Sequence, residues 1–291
     1  MASMRDIKRR RESIQSTEQI TKAMMLVATV KLQKARQKAE ASRPYTNALY
    51  RTVGEILRRT DETAHKYLRH PDEGKKAVIL VSGNRGLAGG YNMNVVRQVL
   101  DGPFDPENTV IYTIGKKGQE MMRARGYECA DDWSEVVNAP LYKDAIQITQ
   151  TILDRFESGG ISEIWLAYTE FKNTVVHVPK CVRMIPVAAE DENVASAMAE
   201  EREESLLPMN YEPNDEEVLN RLIPQYMASV LYGALLQAVA SENGARMTAM
   251  DNATDNAEEM IDKLGLQYNR ARQGSITQEL TEIIAGRNAV T

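Results

Sequence analysis

The segment from about residue 214 to residue 286 has the spacing of one unusually long helix. Apolar residues recur at intervals of three, four and seven, and Pro224, near the start, is its single proline. At 1.5 Å per residue, roughly 70 residues of helix span about 105 Å. Chain ends are normally polar and frayed, yet this one carries Ile283, Ile284, Ala289 and Val290. We therefore expect a second helix along part of this segment and another molecule at its apolar end.

The N-terminal region, residues 1–60, shows the same helical spacing. Ser3 and Asp6 are placed to form a capping box. Pro44 is the single proline of this region, and we expect a kink near Arg43. A helix of about 55 residues is about 80 Å long. Antiparallel pairing of the two long helices is the simplest arrangement that buries both apolar seams.

The intervening region, residues 75–188, changes period. Short apolar runs end in glycine-rich turns and alternate with helical stretches, which is typical of a layered α/β sheet. The last two runs flank a turn at Lys172-Asn173 and predict an antiparallel hairpin at the sheet edge. The predicted strands are residues 77–82, 109–114, 161–169 and 174–187, and the predicted helices are residues 91–100, about 119–125 and 148–156.

We predict an α/β fold in which a long antiparallel coiled coil of the N- and C-terminal helices brackets a Rossmann-like α/β domain. The predicted boundaries are 1–60 for the N-terminal coiled-coil helix, 75–188 for the α/β domain, 189–213 for an acidic connector and 214–286 for the C-terminal coiled-coil helix.

Small residues crowd the seam of the C-terminal helix, including Gly233, Gly244, Gly265 and Gly274. Each glycine costs about 1 kcal/mol of helix propensity relative to alanine, so propensity does not explain them. We interpret them as residues that let two helix axes approach closely. The alternative is a solvent-exposed coiled coil in which the small residues have no role in helix packing.

A glycine-rich turn, Gly83 to Gly90, follows the first strand and precedes a helix, where a phosphate-binding loop would lie. Its spacing matches neither GxGxxG nor GxxxxGK[ST]. We interpret it as a tight strand-to-helix turn, with dinucleotide binding as the minor alternative. The segment Gly115-Lys116-Lys117-Gly118 is interpreted similarly, as a helix start with solvated lysines.

No catalytic or metal-binding constellation can be assembled from the sequence. His65, His70 and His177 have no metal-ligand spacing, and neither GxSxG nor HExxH occurs. Cys129 and Cys181 form no CxxC pair, so free thiols are expected. We predict no catalytic residue, no cofactor and no metal.

Charge is distributed unevenly. Residues 1–60 hold 14 Lys/Arg against 5 Asp/Glu, whereas residues 190–217 hold 11 Asp/Glu against one Arg. Such asymmetry favours surfaces made for partners. The cluster Lys8 to Arg11 has no interleaved aromatic residue for base stacking, so it favours an acidic protein surface over nucleic acid. No apolar run reaches the roughly 18–20 residues needed to span a bilayer, and no secretory or transit segment is recognised.

Several segments carry a family resemblance. The first includes Ile7, Ile14, Thr17, the run from Ile20 to Met24, Val27 and Ala28. The others are the turn RGLAGGYN, the segment from Glu170 to Asn173, the segment from Tyr211 to Pro213, and a C-terminal run of Ala271 to Gln273, Ser275 to Leu280, Glu282 and Ile283. Together they resemble the gamma subunit of bacterial F-type ATP synthases over essentially the whole chain.

The resemblance implies a central-stalk rotor subunit that is not itself catalytic. Such a subunit couples ion-driven rotation of a membrane c-ring to ATP synthesis on β subunits. In the reverse direction it couples ATP hydrolysis to rotation of the c-ring. The implied partners are the α and β subunits of the catalytic ring, the epsilon subunit and the c-ring, with no nucleic acid and with the membrane reached only through the complex. By resemblance, the residues facing the β-subunit ring are Met24, Arg246, Arg272, Gln273 and Thr277, and those near the c-ring and epsilon are Tyr211 and Glu212.

Two departures limit what the resemblance implies. The cysteine-bearing insert of the chloroplast regulatory form is absent, so thiol control of rotation is not implied. The short N-terminus lacks a transit extension, which favours a peripheral protein on the cytoplasmic face of a bacterial inner membrane. The alternative functions are a nucleotide-binding α/β protein that dimerises through its coiled coil, and a coiled-coil tether or spacer.

Overall fold

A computed structural model describes residues 4–57, 65–69, 74–187 and 215–290 of the chain. The acidic connector predicted at 189–213 lies outside these residues. The elements in chain order are helix α1 (Met4–Leu57), strand β1 (Lys75–Val81), helix α2 (Tyr91–Leu100), strand β2 (Thr109–Ile114), helix α3 (Lys116–Arg123), strand β3 (Glu128–Asp132), a 3-10 helix (Ser134–Asn138), helix α4 (Tyr142–Glu157), strands β4 (Ile161–Phe171) and β5 (His177–Ile185), and helix α5 (Asp215–Val290).

The five strands form one mixed sheet in the order β3-β2-β1-β4-β5. The central strand β1 is parallel to both neighbours, with Val78 opposite Ile111 and Trp165. Strand β5 is antiparallel to β4, with Ala167 opposite Cys181. Parallel sheets are covered on both faces and need continuously apolar strands, and β1 and β2 are buried along nearly their whole lengths. The predicted α/β fold with two long terminal helices and an edge hairpin is confirmed.

Alternate residues of β1 separate the core into two layers. Ala77, Ile79 and Val81 pack with residues of α1, α4 and α5 on one face of the sheet. Val78 and Leu80 pack with residues of α2 and α3 on the other face. This alternation follows from the two-residue period of a strand, and it makes the start of α5 and the end of α1 part of the domain core.

Strand β3 and the 3-10 helix are elements that the sequence pattern did not predict. Strand β3 has the sequence ECADD and is only partly buried. It lacks the apolar alternation that signals a strand, and it forms because β2 offers an edge, with Ile111 opposite Cys129. Helix α4 also begins at Tyr142, well before the predicted residue 148, because its first turn is mostly polar.

Helix α5 contains one 18-residue window that is apolar enough, by length and composition, to cross a membrane, contrary to the sequence-based expectation. The protein itself buries 61% of that window. Apolar side chains early in α5, among them Met227, Leu231 and Leu235, are fully enclosed in the domain core. Packing in the domain core therefore accounts for the apolar character of the early part of α5.

The chain divides into two compact units, which are described separately below. The helical unit comprises Met1–Thr29 with Arg246–Thr291, and the domain unit comprises Val30–Ala245.

Candidate functional site

In the helical unit, α1 and α5 each shield one stripe of residues at heptad spacing. Alternating steps of four and three keep such a stripe facing a partner helix, as in a left-handed coiled coil. The shielded positions are Ile7, Arg11, Ile14, Glu18, Thr21, Met25 and Ala28 on α1, and Met250, Thr254, Ala257, Ile261, Leu264, Tyr268, Ala271 and Ser275 on α5. The predicted coiled coil is confirmed.

Two contacts across this seam fix its direction. The guanidinium of Arg11 lies over the ring of Tyr268, 5.8 Å from its centroid. Further along α1, the hydroxyl oxygens of Thr21 and Thr254 are 2.8 Å apart. The partner number on α5 falls as the α1 number rises, so the helices are antiparallel, as predicted.

The threonine pair places hydrogen-bonding groups in an otherwise shielded seam. Both residues are buried, and their hydroxyls also reach carbonyls of their own helices, Glu18 for Thr21 and Met250 for Thr254, at 2.9 Å each. A slip of the helices would set these hydroxyls against apolar side chains and lose the bond between them. A buried polar pair of this kind favours one register of a coiled coil.

Beyond this paired region, the end of α5 is uncovered. Every side chain from Ile276 to Ala285 is exposed, and Ile283 and Ile284 are 68% and 60% exposed. Extending the register of the seam places Met4, where α1 begins, opposite about residue 275. Helix α5 thus continues past the start of α1. Exposed contiguous apolar surface marks an interaction site.

Further apolar side chains of the helical unit are also exposed. Ile20, Leu26 and Val27 on α1 are each more than half exposed, as are Met260 and Leu266 on α5. Sequence reasoning missed the exposure of these residues, because they share the helical period of the buried seam. One signal could have distinguished the exposed apolar residues from the seam residues. Ile20 and Val27 each precede a seam residue, Thr21 and Ala28, by one position.

The predicted partner-binding residues are distributed along the helical unit. Met24 and Arg246 are half-buried, whereas Arg272, Gln273 and Thr277 are exposed. The Thr277 hydroxyl donates to the Gln273 carbonyl at 2.9 Å, within α5. Arg272 and Gln273 lie immediately before the uncovered apolar end. Tyr211 and Glu212 lie outside the described residues. That these side chains face a partner remains a prediction.

The basic cluster at the start of α1 is partly used inside the helical unit. Lys8, Arg9 and Arg10 are exposed, while Arg11 is half-buried against Tyr268. Lys8 lies 3.9 Å from Glu12 one turn on. Three of the four charges therefore point outward.

In the domain unit, backbone N–H groups at the glycine-rich turn and at the start of α3 are used internally. The Gly83 N–H donates to the Asn92 side-chain oxygen at 2.7 Å. The next turn of the sheet, at the start of α3, is tied to it: the Lys116 N–H donates to the Asn84 side chain at 3.0 Å, and the Gly118 N–H donates to the Ser82 hydroxyl at 2.9 Å. A phosphate-binding loop presents such N–H groups to its ligand. Here the side chains of Asn92, Asn84 and Ser82 occupy them.

Helix α5 closes the space beside this turn. A Cβ added at Gly83 would lie 2.9 Å from a Glu242 carboxylate oxygen, and the Ser241 hydroxyl donates to the Thr169 carbonyl at 3.1 Å at the end of β4. In open α/β sheets, ligands bind in the crevice at the carboxyl ends of the strands. In this domain, α5 packs at that crevice, which supports the interpretation of the turn as structural.

The interpretation of the small residues as spacers for close helix approach is wrong for three glycines. A Cβ added at Gly233, Gly265 or Gly274 would meet nothing within 4 Å beyond its own helix. Gly244 differs, because a Cβ there would lie 2.7 Å from the ring of His177. Only Gly244, among these four, is required by close packing, and the contact is with the sheet hairpin.

The two free thiols are half-buried. Burial raises the pKa of the Cys181 thiol to about 12 and also raises the pKa of Cys129. A thiol with a raised pKa stays protonated at neutral pH and is a poor nucleophile. Across the described residues, no group of three or more His, Cys, Asp or Glu side chains converges to hold a metal ion.

Comparison with known proteins identifies relatives over the full length. A family model described as ATP synthase matches residues 3–290. The chain is 57% identical over 290 residues to the ATP synthase gamma chain of Lachnoclostridium phytofermentans, covering 100% of both chains. It is 39% identical over 299 residues to the ATP synthase gamma chain, sodium ion specific, of Acetobacterium woodii, covering 99% of both.

Solved structures share the fold. A chain of the Euglena gracilis mitochondrial ATP synthase matches with a TM-score of 0.64 at 18% identity, covering 99% of this chain and 94% of that one. A chain of the Tetrahymena thermophila mitochondrial ATP synthase, from a structure of the central stalk and c-ring, matches with a TM-score of 0.58 at 24% identity, covering 80% of this chain and 99% of that one.

Proposed function

Because this chain belongs to the ATP synthase gamma chain family, we propose that it is the central-stalk rotor subunit of a bacterial F-type ATP synthase. In this role it couples ion-driven rotation of the c-ring to ATP synthesis on the β subunits, or ATP hydrolysis to rotation in the reverse direction. The chain transmits torque and catalyses no reaction itself. Its partners are the α and β subunits, the epsilon subunit and the c-ring, at the cytoplasmic face of the inner membrane.

The uncovered end of α5 is the observation that carries this proposal. A helix that leaves four large apolar residues exposed, Ile276, Leu280, Ile283 and Ile284, is stabilised when a surrounding surface covers them. A ring of subunits supplies an apolar bearing on all sides of a single helix. Pairing of α1 and α5 behind this end in one register suits the transmission of torque, because a seam that slips would dissipate it.

Arg272 and Gln273 are placed to make contacts that depend on rotary position. Arginine presents a planar fork that pairs with a carboxylate in two hydrogen bonds, and glutamine adds a donor and an acceptor. Both side chains are exposed just before the apolar end. If contacts form in some positions of the ring and not in others, they bias the affinity of the β subunits for nucleotide.

The nucleotide-binding alternative finds no support in the domain unit. The Gly83 N–H is taken by Asn92, the N–H groups of Lys116 and Gly118 are taken by Asn84 and Ser82, and family membership favours the rotor over a dimeric nucleotide-binding protein. The purified chain alone should hydrolyse no ATP.

The apolar end can be tested with Ile283→Gln combined with Ile284→Gln. Because both residues are exposed in the chain alone, its unfolding free energy should change by no more than about 0.5 kcal/mol. Assembly with α and β subunits, or ATP turnover of the complex, should fall sharply. The matched control is Val175→Gln, which removes an equally exposed apolar residue, 76% exposed, from the β4–β5 hairpin. Normal assembly and turnover of the double variant would contradict the bearing.

A further inference from the structure

A groove of about 650 Å³ lies in the domain unit, bounded by α1, the β4–β5 hairpin and α5. Its size is that of a small-molecule site. One face of α1, one face of α5 and the end of β4 converge on it, so its walls come from three elements that the core holds in place. Nothing in the proposed rotor function requires a cavity here.

The groove carries two cations without an ion-pair partner among the described residues, Arg43 on α1 and Lys172 after β4. The other charged side chains of its lining are paired: Arg36 with Glu40 at 3.5 Å, and Lys180 with Glu170 at 3.4 Å. The lining therefore has an excess of two positive charges, one from α1 and one from the end of β4. Paired arginine and lysine side chains recognise carboxylate and phosphate groups.

Gln237 also lines this groove, and its side-chain oxygen is buried with no hydrogen-bond partner among the described residues. A buried acceptor left unpaired is destabilising. Rotation of the Gln237 amide towards the groove would let this oxygen accept from a hydroxyl group of a bound molecule while the acid groups of that molecule met the two cations.

Gly233 keeps the groove open. A side chain at this position would meet nothing within 4 Å, so close packing does not require a glycine. Helix propensity disfavours glycine here. Gly233 lies one turn before Gln237 on the face of α5 that lines the groove, where any side chain would reduce its volume.

We propose that this groove binds a small hydroxylated polyanion, either a hydroxy acid or a sugar phosphate, through Arg43, Lys172 and the Gln237 side-chain oxygen. Hydroxy acids and sugar phosphates both carry acid groups that can pair with the two cations and a hydroxyl group that can donate to the Gln237 amide oxygen. The site is separate from the glycine-rich turn and from the surfaces of the helical unit.

Calorimetric titration of the full chain tests this with three probes. Citrate is a hydroxy tricarboxylate, tricarballylate is the same acid without the hydroxyl, and fructose 1,6-bisphosphate is a hydroxylated phosphate ester. We expect saturable binding of citrate, of fructose 1,6-bisphosphate or of both, which distinguishes the two sources. Citrate should bind about tenfold more tightly than tricarballylate. Equal affinity of these two acids would overturn the role of Gln237, and no binding of any probe would overturn the site.

Two variants locate the binding. Arg43→Ala combined with Lys172→Ala should weaken it by at least about tenfold. Gly233→Met should abolish it by filling the groove, and its matched control is Gly265→Met, at a glycine of the same helix whose Cβ position is equally open. Circular dichroism shows whether each variant keeps its helices. Unchanged affinity in both the double variant and Gly233→Met would overturn the proposal.

Discussion

The hydroxyl oxygens of Thr21 and Thr254 lie 2.8 Å apart, across the seam between the first and last helices of the described chain. Both residues are buried, and both sit at heptad positions that otherwise carry mostly apolar side chains. The pair therefore defines one antiparallel register for the helical unit.

That register can be tested by cross-linking in a variant without Cys129 and Cys181. Thr21→Cys combined with Thr254→Cys should form a disulfide readily, because the side chains already touch. Thr21→Cys combined with Gly265→Cys is the control, about three helical turns out of register. Cross-linking is measured by electrophoretic mobility on a denaturing gel without reductant. Equal cross-linking of the two cysteine pairs would contradict a single register.

The glycines should differ sharply in their tolerance of alanine. Gly115 has a φ of +121°, and a Cβ there would overlap the Ser82 carbonyl oxygen. Gly115→Ala should therefore lower the unfolding free energy by about 1–3 kcal/mol or more. The Cβ added by Gly265→Ala would lie in open space on a helix, so this substitution should raise the unfolding free energy by up to about 1 kcal/mol. Urea denaturation measures both, and similar stability of the two variants would refute this assignment.

Cys181 should react slowly with thiol reagents while the chain is folded. Its pKa is raised to about 12 by burial, so the neutral thiol is favoured in the folded state. Stability from this group is fully present below the unfolded pKa of about 8.5 and is lost as the pH rises towards 12. At pH 8, a variant retaining Cys181 as its single cysteine should label much faster in denaturant than without it. Equal rates would show that Cys181 is accessible in the folded chain.

Arg272 and Gln273 should serve coupling and not folding. Both are exposed, so Arg272→Ala combined with Gln273→Ala should leave the helix content of the chain and assembly of the complex near normal. If the arginine meets a carboxylate within a closed ring, loss of that charged hydrogen bond costs about 1.5–3 kcal/mol and should lower turnover about tenfold or more. Arg270→Ala, another exposed arginine of α5, is the control. Unchanged turnover in the double variant would remove the proposed role.

Local patterns in the sequence were sufficient to predict the central elements of the fold. Residues 91–100 and 109–114 form a helix and a strand with the predicted bounds, because their patterns are strong and their neighbours agree with them. Strand β3 could not be predicted, because its acidic sequence is held in place by β2 and not by its own pattern. Strand formation there is a tertiary effect.

The candidate surfaces were harder to predict than the fold. Apolar periodicity shows that a helix has a buried face, but Ile20 and Thr21 are distinguished only by which of them meets α5. The role of Gly233 could not be predicted from the sequence either. Close packing requires the glycine at position 244, whereas the glycine at position 233 borders a groove. Such differences depend on what lies opposite a residue, which spacing along one chain does not record.

Rotation of the chain within its complex tests the central claim most directly. A probe attached to Val175→Cys, at the exposed tip of the β4–β5 hairpin, reports the orientation of the domain unit. This variant would be assembled without Cys129 and Cys181 into a complex immobilised through its catalytic ring. We predict that the addition of ATP drives continuous rotation of the probe in one direction, and that it stops when ATP is exhausted. A probe that keeps a fixed orientation while the complex hydrolyses ATP would contradict the rotor account.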